Sequence, residues 1–342
     1  MAFSDFLKAL KGEIPIMRSI RRILVAVKNP DARTSPAVAK AAQLAAAIGA
    51  KVELFHAIST PVFMEFELTG NGREHIEHDR HDVSMKKLHA LAARTKQRNL
   101  TLSSHVEWDY PPHEAIIRRA LKIRADLIVA ECHAGRHMVP WLLQLTDWEL
   151  VRHSPVPVLL VKSAKPYSRP QVLATVDPTH AFSKPTRLDD EILEAAVMVK
   201  DALKGSLHAM HSYAPLPVGV APAQLLDEGA VKRLETHSET QARKALDGVV
   251  KNFSIPSARR HLIARHPVNA IPELAKKLRS SLVVMGAVSR SGLKSLFIGN
   301  TAERVLDDIT CDVLVVKPKQ FVTKVGKRVR GMHLQVSTPP IP

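Results

Sequence analysis

The feature that most constrains this chain is that it carries nearly the same pattern twice. At one constant offset, Leu127 falls on Leu282, Val129 on Val284, Pro112 on Pro267, Ala115 on Ala270, Ile116 on Ile271 and Thr146 on Thr301. The run Val158-Leu159 with Val161-Lys162 falls on Val313-Leu314 with Val316-Lys317. No gap is needed. So many coincidences in one register indicate a tandem duplication, and the fold must be one that half the chain can adopt. The junction lies near residues 163–170, where Pro166 and Pro170 break any regular element.

Within each half, short apolar runs alternate with helical spacing. In the first, strands are expected at Ile23–Val27, Val52–Ile58, Leu102–Glu107, Leu127–Ala130 and Val156–Val161, with helical stretches at Ser35–Ile48, Glu74–Arg98 and Pro112–Ile123. In the second, strands are expected at Val172–Val176, Leu207–Tyr213, His261–Ala264, Leu282–Met285 and Val313–Val316. Helices there are expected at Leu188–Leu203, Leu225–Val250, Val268–Leu278 and Ala302–Asp308. Five strands with helices between them imply parallel connections. The low aromatic content, 4%, suits cores of Val, Leu, Ile and Ala between a sheet and its covering helices.

The length of 342 residues supports two domains, each able to bury a core. The layout expected is an extension at 1–20, a first domain at 21–163, a second at 170–318 and a basic, disordered tail at 319–342. Two cysteines, Cys132 and Cys311, form no disulfide framework, and a reducing cytoplasm is the economical setting. No apolar run approaches the roughly 18 residues that a membrane span needs. Phe3, Phe6, Leu7 and Leu10 draw one apolar stripe that could lie on a membrane surface, pack on the protein, or precede a start at Met17; packing is favoured.

One stretch has the layout of a phosphate cradle. The strand Leu282–Met285 runs into Gly286, then a loop with Ser289, then Gly299-Asn300-Thr301 opening a helix. Glycines admit close backbone approach, and the first turn of a helix leaves N–H groups unpaired. The spacing Gly286-x2-Ser289-x9-Gly299-Asn300-Thr301 resembles the G-x2-G-x9-G-(S/T) loop of the universal stress protein family. Ser289 stands at that family's second glycine, and Asn300 where it usually has Ser or Thr.

The resemblance covers both halves, about Arg22 to Pro318, and is strongest to the tandem, E-type members. It implies an α/β fold of two tandem Rossmann-like domains, each a five-stranded parallel sheet ordered 3-2-1-4-5 and flanked by helices. It implies that Asp177, at the end of the second half's first strand, contacts the adenine and ribose side of ATP. The site so implied comprises Val176, Asp177, Pro178, Met210, Met285, Gly286, Val288, Ser289, Gly299, Asn300 and Thr301. Its ligand would be ATP or another adenine nucleotide, with or without Mg²⁺. Family members pair through the last strand, so Val158–Val161 and Val313–Val316 should meet within one chain as a pseudo-dimer; a further homodimer stays open. A role in survival under stress comes with the resemblance alone.

The first half departs from the motif throughout. Glu131 stands opposite Gly286, Ala134 opposite Ser289, Gln144 opposite Gly299 and Leu145 opposite Asn300, while Lys28 stands opposite Asp177. Bulky Met138, Pro140 and Trp141 follow Glu131, so this crevice is expected to be filled and to refuse nucleotide. Plainer roles exist for each second-half residue: tight turns for Gly286 and Gly299, a turn for Asp177-Pro178, core packing for the methionines.

Other chemistries find little support. The sequence has no nucleophile elbow, paired-carboxylate arrangement or Walker lysine, so phosphoryl transfer would lack much of its usual help. The chain is read as a binder and regulator, with slow hydrolysis left open. His75, His78 and His81 recur every three residues on a polar helix, a spacing that usually marks a solvated face, and no metal is expected there. The net charge of +16 is scattered and lacks interleaved aromatics, which argues against nucleic acid. The alternative reading is a tandem scaffold, or a carrier of an apolar or lipid-like ligand, for which Met138, Val139, Trp141, Leu142 and Leu143 would be suited.

Overall fold

Apolar strands of four or five residues that bury both faces need helices on each side and neighbours on each edge. The protein meets both needs with one sheet. A computed structural model describes residues 20–59, 73–95, 100–132, 146–179, 187–214, 227–287 and 300–327. The stripe from Phe3 to Leu10 and the tail past residue 327 lie outside the described residues.

The first half runs β1 (Arg22–Ala26), α1 (Pro36–Ile48), β2 (Lys51–Ile58), α2 (Arg73–Arg94), β3 (Leu102–Trp108), α3 (Pro112–Ile123), β4 (Leu127–Glu131), α4 (Thr146–His153) and β5 (Val158–Val161). The second runs β6 (Gln171–Thr175), α5 (Leu188–Ala202), β7 (Ser206–Ser212), α6 (Glu228–Val250), β8 (Arg260–Ile263), α7 (Pro267–Lys277), β9 (Leu282–Gly286), α8 (Asn300–Asp308) and β10 (Asp312–Val316). Local signals set several ends. Ser35 caps α1, its hydroxyl oxygen accepting from the Val38 N–H, Pro36 opens the helix, and Gly49 closes it in the left-handed conformation. Pro112 and Pro267 likewise open α3 and α7.

The strands form a ten-stranded sheet ordered β3-β2-β1-β4-β5-β10-β9-β6-β7-β8. Each half is therefore a parallel sheet ordered 3-2-1-4-5, as expected. The two meet where β5 and β10 pair antiparallel, Leu160 opposite Val313, Leu159 opposite Leu314 and Val158 opposite Val315. Alternate residues serve opposite faces. Val25, Val129, Ala174 and Val284 pack with α1, α2, α5 and α6, and Leu24, Ile128, Leu173 and Val283 with α3, α4, α7 and α8. Each apolar layer is continuous across both halves.

Two elements differ from the sequence reading. No helix was expected between β4 and β5, yet α4 forms. It carries Asp147 and Glu149 in its first turn and Arg152 and His153 in its last, matching the helix dipole, and it buries Leu150 and Val151 completely. The strand expected from Val156 begins at Val158, because Pro157 has no N–H to donate and offers only its carbonyl, to Ile128.

A buried polar node locks the seam. Asp312 and Lys40 are fully enclosed and form an ion pair between β10 and α1. The same carboxylate accepts from the Tyr167 hydroxyl at 2.5 Å and from the backbone N–H groups of Lys162 and Ser163 at 2.9 and 3.1 Å. Burial, then the Asp312 charge, raises the Tyr167 phenol well above its ordinary pKa. Asp312→Ala would strand the Lys40 ammonium and two N–H groups. It should cost about 3–5 kcal/mol in urea unfolding, whereas an exposed control such as Lys251→Ala should shift stability by less than about 0.5 kcal/mol.

Candidate functional site

Open parallel sheets place ligands beyond the carboxyl ends of the strands where strand order reverses. Here those points are the ends of β1 and β4 in the first half and of β6 and β9 in the second.

In the second half, β6 leads through buried Val176 to Asp177. The Asp177 backbone N–H donates to the Asp189 carboxylate in the first turn of α5 at 3.0 Å. Its own carboxylate accepts from the Thr179 hydroxyl at 3.3 Å and lies 3.8 Å from Nδ1 of the fully buried His211. The Asp177 side chain is braced and stays 37% exposed. Met210 and Met285 are buried in the core on the α7 and α8 face. Asn300 and Thr301 open α8, whose first N–H groups have no helical acceptor. Val288, Ser289 and Gly299 lie outside the described residues.

Gly286 ends β9 under close packing. A Cβ there would meet Leu188 Cδ2 at 2.9 Å and Ile192 Cδ1 at 3.1 Å, both from α5. The space of its missing side chain is thus filled from the helix. Just beyond it, Lys317 Nζ donates to the Ala287 carbonyl at 2.8 Å and sits 4.7 Å from the centre of the Phe321 ring. Burial first, and then Arg152, pulls the Lys317 ammonium down to about 8. Nothing in the sequence marks Lys317 for burial. Within the stretch read as a disordered tail, Val325 packs on the core and the Gly326 carbonyl accepts from Arg118, while Val322 is 83% exposed.

The first half differs from expectation too. At its crevice lies a cavity of about 620 Å³, lined by Val27, Lys28, Phe55, Arg80, Lys87 and Asp147 among others. Met138, Pro140 and Trp141, expected to fill it, lie outside the described residues. Glu131, opposite Gly286 in the repeat, turns to the start of α1, where it accepts from the Ser35 hydroxyl and from the Ala37 N–H at 3.3 Å. The crevice carries another carboxylate. Asp147, in the first turn of α4, is buried and pairs with Lys28 at 2.8 Å. Sequence reasoning missed this pair, although the internal repeat holds its signal, since Ala302 stands opposite Asp147. Three cavity-lining residues, Val27, Phe55 and Ala130, occupy the repeat positions of Val176, Met210 and Met285.

Along α2, His78 and His81 are exposed and both approach Asp82, at 3.5 and 3.4 Å. Among the described residues, ligand atoms suited to a metal converge elsewhere, at His113, Glu149 and His153. No described helix is long and apolar enough to cross a membrane.

Comparison with known proteins agrees with this architecture. The model of the universal stress protein family matches residues 19–162 and again 185–317. The chain is 26% identical over 308 residues to Universal stress protein E of Escherichia coli strain K12, covering 88% of this chain and 96% of that relative. Among solved structures it is similar to a functionally unknown protein of Pseudomonas aeruginosa PAO1, with TM-score 0.65, 24% identity, and 88% and 94% of the two chains covered. It is also similar to a universal stress protein of Archaeoglobus fulgidus DSM 4304, with TM-score 0.57, 16% identity, and 88% and 99% covered.

Two substitutions check the second-half geometry. Gly286→Ala should cost about 1–3 kcal/mol in urea unfolding, because its Cβ overlaps α5. Lys317 binds its proton less tightly folded than unfolded, so between about pH 8 and the usual lysine range the unfolded state holds more protons and stability rises with pH. The stability difference between wild type and Lys317→Met should therefore shift by about 1.5 kcal/mol in favour of wild type from about pH 8 to 9.5. A flat difference would mean that Lys317 is solvated.

Proposed function

Because the chain belongs to the universal stress protein family, matched twice along its length, we propose that it is a stress-response protein whose second half binds ATP or a related adenine nucleotide. Occupancy would act as a regulatory or protective signal rather than as the start of turnover.

The observation that carries this reading is a charge exchange between equivalent crevices. In the first half, Asp147 places a carboxylate at the first turn of α4, and Lys28 at the end of β1 neutralises it. In the second half both positions change. Ala302 replaces the carboxylate, so the first turn of α8 has no such side-chain anion at that position, and Asp177 replaces the lysine. The first turn of α8 keeps one acidic residue, Glu303, which is paired with Arg152 at 3.1 Å, and the Ala302 position leaves the helix start open to a phosphate group. A braced, exposed carboxylate at the strand end suits the hydroxyl and amino donors of a nucleoside.

The residues present fit such a ligand. Asp177 would hold the nucleoside, and the backbone of Gly286 and the first turn of α8 would hold the phosphates. The Lys317 ammonium is committed to the Ala287 carbonyl, so it adds positive potential near the loop but is not free to follow a phosphoryl group. Mg²⁺, if it accompanies the nucleotide, would neutralise the phosphates.

The first-half cavity favours a second reading for that half alone. Phe55, Val83, Ile116 and Leu150 give it an apolar wall, while Lys28 and Lys87 are paired with Asp147 and Asp31. That combination suits a small, largely apolar ligand.

The decisive experiment is mass spectrometry of ligand released from the purified full chain, with titration of ATP against wild type, Asp177→Ala and Gly299→Glu. Saturable binding is expected in wild type. Asp177→Ala should weaken it about tenfold or more, the loss of about 1.5–3 kcal/mol in hydrogen bonds to a charged group, and Gly299→Glu should abolish it. No uptake at millimolar ATP, or uptake indifferent to both substitutions, would overturn the proposal.

A further inference from the structure

We propose that His113, Glu149 and His153 form a binding site for one divalent transition-metal ion of the zinc class, present in the first half only and independent of the nucleotide reading.

Two helices build it. His113 follows Pro112 in the first turn of α3, while Glu149 and His153 stand one turn apart on α4, where a spacing of four residues places both on one face. His153 Nε2 lies 2.9 Å from Glu149 Oε2, and the His113 and His153 rings stack with centroids 5.7 Å apart. All three ligand atoms fall within 4.8 Å of one another. Around a zinc ion with bonds of about 2.0–2.1 Å, tetrahedral ligands stand about 3.4 Å apart, so closure needs only side-chain rotation. Two imidazoles and one carboxylate match the donor preference of zinc, and three protein ligands leave a fourth position for water or an exogenous group.

The surroundings favour a dication. Two guanidiniums lie nearby, and each is already matched. Arg118 pairs with Asp109 and Glu114, and Arg152 holds Glu149 Oε1 at 2.6 Å and Glu303 at 3.1 Å. Four carboxylates therefore face two fixed positive charges. Arg152 leaves Glu149 Oε2 to the metal and orients the carboxylate from its other oxygen, the part that outer hydrogen bonds play around metal ligands. His153 also sits in the last turn of α4, where the helix dipole favours positive charge.

The duplicated fold supplies an internal control. At the equivalent positions the second half has Val268, Arg304 and Asp308, which offer one ligand of three and place a cation in the middle. An ion at the first-half site would tie α3 to α4, the helix whose Asp147 lines the cavity. Metal occupancy would thereby set the wall of that cavity.

The test uses the full chain, stripped with a chelator and then titrated with Zn²⁺ against a chromophoric competitor. One equivalent should bind, and Zn²⁺ should raise the unfolding temperature of wild type. His113→Ala and His153→Ala should each weaken binding at least tenfold and lose the thermal shift. The double variant His78→Ala/His81→Ala, on the exposed face of α2, should behave as wild type. His153→Gln, close in size and hydrogen bonding, carries the comparison where the alanine variant does not fold. Absence of stoichiometric binding, wild-type affinity in the His113 and His153 variants, or loss of the ion in the α2 variant would each overturn the site.

Discussion

The antiparallel contact between β5 and β10 is the constraint on which the rest depends. Both strands are wholly apolar where they pair and bury both faces, so either one left as a sheet edge would expose unpaired backbone beside Val and Leu side chains. Pairing them removes both edges and makes one sheet of ten strands. A slip of one residue would turn every side chain to the wrong layer. Asp312 opposes such a slip, because its carboxylate takes the N–H groups of Lys162 and Ser163 where β5 ends, while Lys40 and Tyr167 satisfy the other oxygen. A buried ion pair adds little net stability over an apolar substitute. Its effect here is to make one register better than its neighbours.

With the seam set, the two halves are free to differ elsewhere, and they differ at the strand ends. Glu131 and Gly286 occupy the same place in the repeat, yet one reaches out to cap α1 while the other gives way to Leu188 and Ile192. The same volume is filled from the strand in one half and from the helix in the other. Lys28 with Asp147 and Asp177 with Ala302 differ likewise in charge: the first crevice holds an ion pair at its helix start, and the second has a carboxylate at the strand end and no acid at the equivalent helix position.

Much of this was legible in the residues. Strand positions and parallel connections followed from the repeat and from apolar runs that need cover on both faces, strand order came with the family resemblance, and Pro112, Pro267 and Gly49 marked helix ends by simple backbone chemistry. What escaped depends on three-dimensional convergence. The stretch from Asp147 to His153 is two turns long, too short for periodicity alone to distinguish from loop, and becomes helical because Leu150 and Val151 find the core. Lys317 looked like one more surface lysine, since nothing local says that Phe321 and the Ala287 carbonyl will enclose it. Glu131 was assigned to the crevice by position, but alternation along β4 sends it to the other face. The histidine and glutamate cluster was invisible for a similar reason: its members lie on two helices whose packing decides that they meet.

Helices α4 and α8 show how the halves share more than a seam. Arg152 of α4 reaches Glu303 of α8, and Lys162, at the end of β5, donates to the carbonyls of Leu306 and Ile309 at the close of α8. Each crevice is thus bordered by a helix whose body is fixed partly by the other half. The first turns of these helices carry the charge difference between the crevices, and the cross-links run from the last turn of α4 to the first turn of α8 and from the end of β5 to the close of α8. A side chain that altered the seat of α4 would be felt at α8 through one guanidinium and one ammonium, not through the sheet. The sheet itself has little freedom to respond, because its central strands are packed on both faces and their register is pinned at Asp312.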